Sequence, residues 1–298
     1  MKTMSQTDPY FSRVSGAWGY GDRADPVLWG DGRGLLPAEH LQRFERDGFL
    51  FVDKLFSDDD VRAWRDEADR LANGGIDRAR EEVVIEPNND TVRSVFRVHR
   101  LSPVFKRLVK DHRLAGVARQ ILGSDVSVHQ SRINYKRGFE GREFFWHSDF
   151  ETWHMEDGMP RMRAVSAAIW LSDNNEFNGS LMVIPRSHEL YIRCVGDTPE
   201  NHYKVSLRQQ SYGTPSYDAL TMLVERGGIV APKGPAGSVV FFDCNLMHGS
   251  AGNLSPYPRD NIFFVYNSVD NALVDPFAGI APRPAFLGER DGTPVDLL

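Results

Sequence analysis

From Val126 onward the chain consists of short apolar runs separated by Gly, Pro, Asn and Asp. Short alternating runs are typical of β-strands, and the residues between them are those that turns require. Seven or eight strands without helical segments between them favour a sandwich or a jelly roll. The expected strands are 126–136, 142–150, 164–171, 181–185, 228–231, 238–243 and 261–269.

The first 125 residues have a different pattern, in which helical periodicity dominates. Helices are predicted over 35–47, from an N-cap at Ser57 to about residue 73, and over 104–122, with one short strand at 49–53. We therefore expect one domain over residues 1–298. In it a mostly helical N-terminal scaffold (1–125) packs beside a jelly-roll core (126–298), which gives a mainly β fold with flanking helices.

The composition narrows the classes of function. A net charge of −6 without a Lys/Arg cluster argues against nucleic acid or an anionic membrane as the main partner. No apolar run approaches the roughly 20 residues of a membrane span, and the N-terminus lacks the apolar stretch of a signal peptide. Cys194 and Cys244 are the two cysteines, so no disulfide framework is indicated. A cytoplasmic location is expected.

An H-x-D motif lies in the predicted strand 142–150. Residues two apart in a strand point to the same face, so His147 and Asp149 can hold one metal ion from one wall. His248 is available as a third ligand further along the chain. Two imidazoles and one carboxylate that occupy one face of an octahedron form the facial triad of non-heme Fe(II) oxygenases. Spacing alone is a weak signal, because His–Asp pairs also occur on protein surfaces.

The residues around this motif have several interpretations. Glu151 lies on the same predicted strand face, and it either orients an imidazole or is solvated. His129 is expected to face away from Gln130 and to be a core or surface residue. Polar side chains on the predicted strand 126–136 share the face of Gln130, which is solvent-exposed unless it lines a pocket. These side chains are Arg132, Asn134 and Lys136.

Residues 144–188 read FFWHSDFETWHMEDGMPRMRAVSAAIWLSDNNEFNGSLMVIPRSH. This run closely resembles the signature of ectoine hydroxylases, a branch of the phytanoyl-CoA dioxygenase superfamily, and further similarity occurs at 25–29, 48–52 and 248–259. The resemblance implies a double-stranded β-helix (a cupin-like jelly roll), Fe(II), 2-oxoglutarate and O2. It further implies the conversion of ectoine to 5-hydroxyectoine with release of succinate and CO2, and a homodimer.

The resemblance also implies roles for individual residues. The iron ligands fall on His147, Asp149 and His248. Arg259 is expected to bind the distal carboxylate of 2-oxoglutarate with help from Ser250. The remaining 2-oxoglutarate contacts are expected from Asn134, Lys136 and Phe144.

Ectoine is a small ring that carries an amidinium and a carboxylate. The resemblance implies that Gln130 contacts it. Aromatic faces suit the cation, and hydrogen-bond donors suit the carboxylate. The candidates are Trp153, Phe242 and Phe264 among the aromatic residues, Thr152 and Ser166 among the hydroxyls, and Arg283 as a carboxylate partner, with core packing or solvation as the alternative in each case.

Two other functions stay open at this point. One is a 2-oxoglutarate-dependent hydroxylase of another small amino acid or osmolyte, and the other is a cupin-like protein that binds a ligand without catalysis. Arg186 stands where the family more often has Gly, which argues against a positive-φ turn there. Residues 196–220 have no pattern and are a candidate loop or lid.

Overall fold

Two antiparallel sheets form the core of the protein, and the computed structural model describes residues 8–87, 89–207 and 212–298. Strands in the described residues are β1 (Gly19–Asp22), β2 (Phe49–Val52), β3 (Val83–Ile85), β4 (Val92–Phe96), β5 (Val126–Lys136), β6 (Phe144–His147), β7 (Ala164–Trp170), β8 (Leu181–Val183), β9 (Leu190–Arg193), β10 (Val239–Asp243), β11 (His248–Ser250) and β12 (Arg259–Ser268). The larger sheet has the order β2-β10-β7-β12-β5-β4-β3, the smaller one has the order β6-β11-β8, and β1 pairs with β9.

The helices in the described residues are α1 (Ala38–Asp47), α2 (Asp58–Arg70), α3 (Val98–Leu101), α4 (Pro103–Leu108), α5 (Val117–Leu122), α6 (Asp149–Thr152), α7 (Tyr203–Ser206) and α8 (Tyr217–Gly227), with π-helical turns at Leu71–Gly75, His112–Gly116 and Trp153–Asp157 and a 3-10 turn at Ser187–Glu189. Helices α1 to α5 cover one face of the larger sheet, whereas α8 packs against β9. Ser57 caps α2 through a capping box with Asp60, as its position before the apolar stripe predicts. The predicted helix 104–122 is interrupted after α4, because Asp111 caps a new helical turn.

The two faces of the larger sheet have different partners. Val165, Ala167 and Ile169 of β7 belong to the main core against the helices, whereas Ala168 and Trp170 pack toward the smaller sheet. This alternation follows from the two-residue period of a strand. The mainly β fold with flanking helices is confirmed. Any binding pocket between the two sheets must be lined by the side chains that point toward the smaller sheet, as Ala168 and Trp170 do.

The boundary expected at residue 125 is not a structural boundary. β2, β3 and β4 all come from the first 125 residues and complete the larger sheet. The arm before α1 also reaches the core, since β1 pairs with β9. Helices occur among the later strands as well, in contrast to the expected uninterrupted series, and the predicted strand 228–231 is reduced to a bridge from Val230 to Val183.

Arg186 adopts a left-handed conformation with φ of 67°. The expectation that an arginine at this position argues against a positive-φ turn is therefore wrong. The turn is held by its backbone, because the Arg186 amide donates to the Asp47 carbonyl at 3.1 Å and the Glu189 amide donates to the Arg186 carbonyl at 3.2 Å. Of the lid candidate 196–220, residues 208–211 lie outside the described residues, and the remainder includes α7 and the start of α8.

Gly158 ends the π-helical turn Trp153–Asp157 with φ of +80°, and a Cβ there would lie 1.9 Å from the Val274 carbonyl oxygen. Gly279 has φ of +72° but no atom within 4 Å of a Cβ. In both Ala variants the left-handed backbone lowers the free energy of unfolding by about 1–2 kcal/mol. Because the added Cβ also overpacks the site at residue 158, we expect the free energy of unfolding to fall by roughly 1–3 kcal/mol more in Gly158→Ala than in Gly279→Ala. Urea unfolding measures this difference, and equal losses in the two variants would contradict it.

Candidate active site

Two histidines meet across a pair of antiparallel strands. His147 of β6 is the direct partner of His248 of β11, and their ring centroids lie 4.3 Å apart. Asp149 Oδ1 lies 3.6 Å from His147 Nε2, and Asp149 Oδ2 lies 3.8 Å from His248 Nε2. All three ligand atoms fall within 4.8 Å of one another. The three residues predicted as metal ligands are therefore brought together at one point.

Asp149 does not reach this point in the way the sequence indicated. The predicted strand 142–150 ends at His147, and Asp149 begins α6 after Ser148 in an extended conformation. The expectation that His147 and Asp149 share one strand face is therefore wrong. A turn from strand to helix at Ser148 brings the two side chains together instead. Glu151 follows in the helix and accepts hydrogen bonds from Ser12 and Arg13, so its expected place beside the imidazoles is also wrong.

Hydrogen bonds select the nitrogen that each histidine presents. His147 Nδ1 lies 2.7 Å from the Phe145 carbonyl and His248 Nδ1 lies 2.9 Å from the Leu246 carbonyl, so Nδ1 carries the proton in each ring. Both Nε2 lone pairs are then free for a metal. Burial and the nearby His147 lower the pKa of His248 to about 4. Burial opposes ionisation of Asp149, but His248 and His147 hold its pKa below the usual value.

An iron ion fits these three side chains. Oδ2 of Asp149 is buried and has no hydrogen-bond partner among the described residues, a state that costs free energy unless a ligand completes it. The donors are two neutral imidazoles and one ionised carboxylate, which is the set that non-heme Fe(II) prefers. His147, Asp149 and His248 would hold the metal.

A pocket opens from this triad between the two sheets, and Ser250 and Arg259 line it, while Lys136 contacts Ser250 without lining the pocket itself. Lys136 Nζ donates to Ser250 Oγ at 2.7 Å, and Arg259 Nη2 donates to the same oxygen at 3.2 Å. Arg259 also donates twice to the Gly179 carbonyl, at 3.1 and 2.9 Å. Burial lowers the pKa of both cations, that of Arg259 to about 10. Two buried cations that converge on one hydroxyl form a binding site for an anion such as a carboxylate.

Asn134 and Phe144 line the same pocket, and Phe144 is the strand partner of Ser250. Asn134 Oδ1 accepts a hydrogen bond from Ser94 at 2.8 Å, and the Arg93 guanidinium lies 3.9 Å from the centre of the Phe144 ring. The sequence did not indicate Arg93 or Ser94, although both line the pocket. They belong to β4, which is buried on both faces and therefore lacks the alternation that reveals a strand.

The expected substrate residues are only partly brought together. Gln130, Thr152, Trp153 and Arg283 line the pocket. Arg283 is already engaged, because its guanidinium donates to both oxygens of Asp157 at 2.8 and 2.7 Å. If Arg283 binds a substrate carboxylate, its guanidinium is held in place by Asp157.

The other three candidates lie elsewhere. Phe264 is not on the pocket wall: it packs in the main core against the helices, and Phe263 takes the wall position. The core-packing alternative for Phe264 therefore fits its position, because neighbouring residues of a strand point to opposite faces. Phe242 and Ser166 pair across β10 and β7 in the layer behind the wall, with the Phe242 ring 5.0 Å from that of His248.

A β-bulge occurs at His129 of β5. The pairing of β12 with β5 shifts between Val265 and Tyr266, whose partners are Gln130 and Val128, so His129 is passed over. His129 is buried, with Nε2 3.2 Å from Asp157 Oδ2, and it does not line the pocket that Gln130 lines. Of the two expected places for His129, core and surface, the structure supports the core.

The pocket is closed on one side by residues that the sequence did not indicate. His202, Tyr203 and Tyr212 line it from the segment predicted as a loop or lid. His202 Nε2 lies 3.1 Å from Glu156 Oε2, and Glu156 also pairs with Arg13 of the N-terminal arm. The described parts of this segment are thus fastened to the helical turn that follows Asp149.

The phytanoyl-CoA dioxygenase (PhyH) model matches residues 44–261. Ectoine dioxygenase of Bordetella bronchiseptica is 54% identical over 285 residues, which cover 95% of this chain and 92% of the relative. Ectoine dioxygenase of Stutzerimonas stutzeri is 50% identical over 295 residues, which cover 98% of each chain. The chain belongs to the ectoine dioxygenases of the phytanoyl-CoA dioxygenase family.

Solved structures of this family agree with the arrangement of strands. EctD from S. alaskensis with 2-oxoglutarate and 5-hydroxyectoine is 44% identical, covers 98% of each chain and has a TM-score of 0.89. The same protein with bound Fe gives a TM-score of 0.87. The carbocyclase SnoK is 21% identical with a TM-score of 0.62, a likeness that concerns the fold alone. No helix in the described ranges is long and apolar enough to cross a membrane.

Proposed function

We propose that this protein is an Fe(II)- and 2-oxoglutarate-dependent dioxygenase that hydroxylates ectoine to 5-hydroxyectoine, with release of succinate and CO2. The observation that carries the proposal is the placement of a two-histidine, one-carboxylate triad in the same pocket as a buried Lys–Ser–Arg end. The relatives named ectoine dioxygenase, at 50–54% identity over nearly the whole chain, supply the substrate.

The bound iron and 2-oxoglutarate supply the oxidising power that inserts one oxygen atom of O2 into a C–H bond. The residues of the chain bind and orient. Arg259 and Lys136 neutralise the distal carboxylate of 2-oxoglutarate, and Ser250, which they both contact, fixes its direction. Phe144, under the Arg93 guanidinium, keeps water from this end. Gln130, Trp153 and Arg283 would hold ectoine, so that one ring C–H faces the triad.

We expect succinate formation that depends on Fe(II), 2-oxoglutarate and ectoine together, with a product one oxygen atom heavier than ectoine. Mass spectrometry and a succinate assay measure both quantities in one incubation. A chelator that removes iron should abolish both. Succinate without a heavier product, or faster turnover of another amino acid or osmolyte in a substrate panel, would overturn the assignment of ectoine.

We further propose that the protein acts in the cytoplasm as a homodimer. The proposal rests on the family resemblance, and one chain has a mass of 33.7 kDa. Light scattering after size-exclusion chromatography should give twice that mass, and a monomeric mass at micromolar concentration would rule the dimer out.

A further inference from the structure

A buried network of charges surrounds one wall of the pocket, and we call it the acid cluster. Arg13 pairs with both Glu151 and Glu156, and the Glu151 contact is 3.0 Å long. Arg283 pairs with Asp157 at 2.7 Å and lies 3.6 Å from Glu156. The full cluster is Arg13, His129, Glu151, Glu156, Asp157, His202 and Arg283. It joins the N-terminal arm, the turn after Asp149, the segment before residue 208 and the C-terminal part of the chain.

Acids outnumber guanidinium groups in the acid cluster. It contains three carboxylates and two guanidinium groups, and all five side chains are at most 10% exposed. The two imidazoles lie against two of the acids, with His129 3.2 Å from Asp157 and His202 3.1 Å from Glu156. A cationic ligand beside these buried carboxylates would form a charge-assisted contact.

Glu156 is the acid of this cluster that faces the pocket. It lines the wall together with Arg283, whereas Glu151 and Asp157 lie behind the wall. Its Oε1 is held by Arg13. Its Oε2 is buried, lies 3.1 Å from His202 Nε2 and is without a fully aligned hydrogen bond among the described residues. Glu156 therefore brings a carboxylate oxygen with remaining acceptor capacity to the wall of the pocket in which the substrate would bind.

We infer that Glu156 binds the amidinium of the substrate while Arg283 binds its carboxylate, which makes the pocket selective for a compact zwitterion. The inference rests on the proposed function and assigns to Glu156 the binding of the positive charge of the substrate. In ectoine the carbon that carries the carboxylate is bonded directly to an amidinium nitrogen. An acid and a guanidinium 3.6 Å apart are spaced to contact two such neighbouring charges. The amidinium also brings a positive charge to a cluster in which acids outnumber guanidinium groups.

The test compares a charged and a neutral ligand in the full-length protein with Fe(II) and 2-oxoglutarate, without O2. The ligands are ectoine and 6-oxopiperidine-2-carboxylate, a six-membered lactam acid with the same ring size but no positive charge. Calorimetry gives both dissociation constants. We expect Glu156→Gln to weaken ectoine binding by about 10–100-fold, the effect of losing a hydrogen bond between charged groups. Binding of the lactam should change little, so the preference for ectoine falls by the same factor.

Glu151→Gln is the matched control, because it removes a carboxylate from the same helical segment and the same Arg13 partner but lies behind the wall. It should keep the preference for ectoine. Glu156→Ala is measured in parallel, and 2-oxoglutarate binding reports whether each variant is folded. A preference that survives in both folded Glu156 variants, or that is lost equally in Glu151→Gln, overturns the inference while the proposed function stands. Wild-type protein that neither binds nor oxidises ectoine overturns the proposed function, and the inference falls with it.

Discussion

Replacing Asp149 by Ala is expected to abolish both iron binding and turnover. The carboxylate is the single anionic member of the triad, and without it two neutral imidazoles 4.3 Å apart would have to hold a divalent ion in a buried site. Loss of an outer hydrogen-bond partner of a metal ligand already costs roughly 10–100-fold in affinity, and loss of a ligand itself should exceed that. Metal analysis after dialysis and the optical band of the iron–2-oxoglutarate complex measure the effect.

The matched control for this experiment is His129→Gln. His129 also lies next to a carboxylate, with 3.2 Å between its Nε2 and Asp157 Oδ2, but no third metal ligand meets that pair among the described residues. The His129→Gln variant should therefore retain one iron per chain, which Asp149→Ala should not. If Asp149→Ala binds iron as tightly as the wild type, the triad is not the metal site.

The metal ligands and the polar face of β5 could be predicted from the sequence, and each rests on a simple periodicity or a long motif. Val126–Lys136 reads as one strand with Ile133 and Tyr135 on one side, and both do pack in the main core. Gln130 lines the pocket on the other side, as an alternation of polar and apolar residues indicates.

In a strand that is buried on both faces, the sequence does not indicate which side chains point to the pocket. β12 is buried along its entire length, so its apolar run contains no sign of which residues point to the pocket, and the wall position of Phe263 could not be predicted. The bulge at His129 could not be predicted either, because it is a property of the pairing of two strands and not of either sequence.

The acid cluster could not be predicted for a related reason. Its members come from five separate parts of the chain, and no pattern in the sequence indicates that they meet. A buried ion-pair network becomes visible only when the fold brings its partners together, because burial and not residue type distinguishes it from a solvated surface. The motif that contains Glu156 was recognised for its length, with no role for the carboxylate itself.

Arg259→Gln should raise the KM for 2-oxoglutarate by about 10–100-fold or more, because the charge-assisted hydrogen bonds to the distal carboxylate are lost. Although burial lowers the pKa of Arg259 to about 10, the guanidinium is still protonated at neutral pH, so the wild-type site presents a full charge. Glutamine keeps a donor for the Gly179 carbonyl but removes that charge. Initial rates at varied 2-oxoglutarate and saturating ectoine measure the change.

Arg137→Gln is the control variant, because it removes a nearby positive charge that does not contact the 2-oxoglutarate site. Arg137 is the neighbour of Lys136 in sequence, but its guanidinium pairs with Asp260 at 3.2 Å and lies outside the pocket. If general electrostatic attraction brings the dicarboxylate to the site, both variants raise the KM by similar factors, and the increase disappears at high salt. If Arg259 binds the carboxylate directly, only Arg259→Gln has the large effect, and it persists at high salt because the buried end of the pocket is poorly screened.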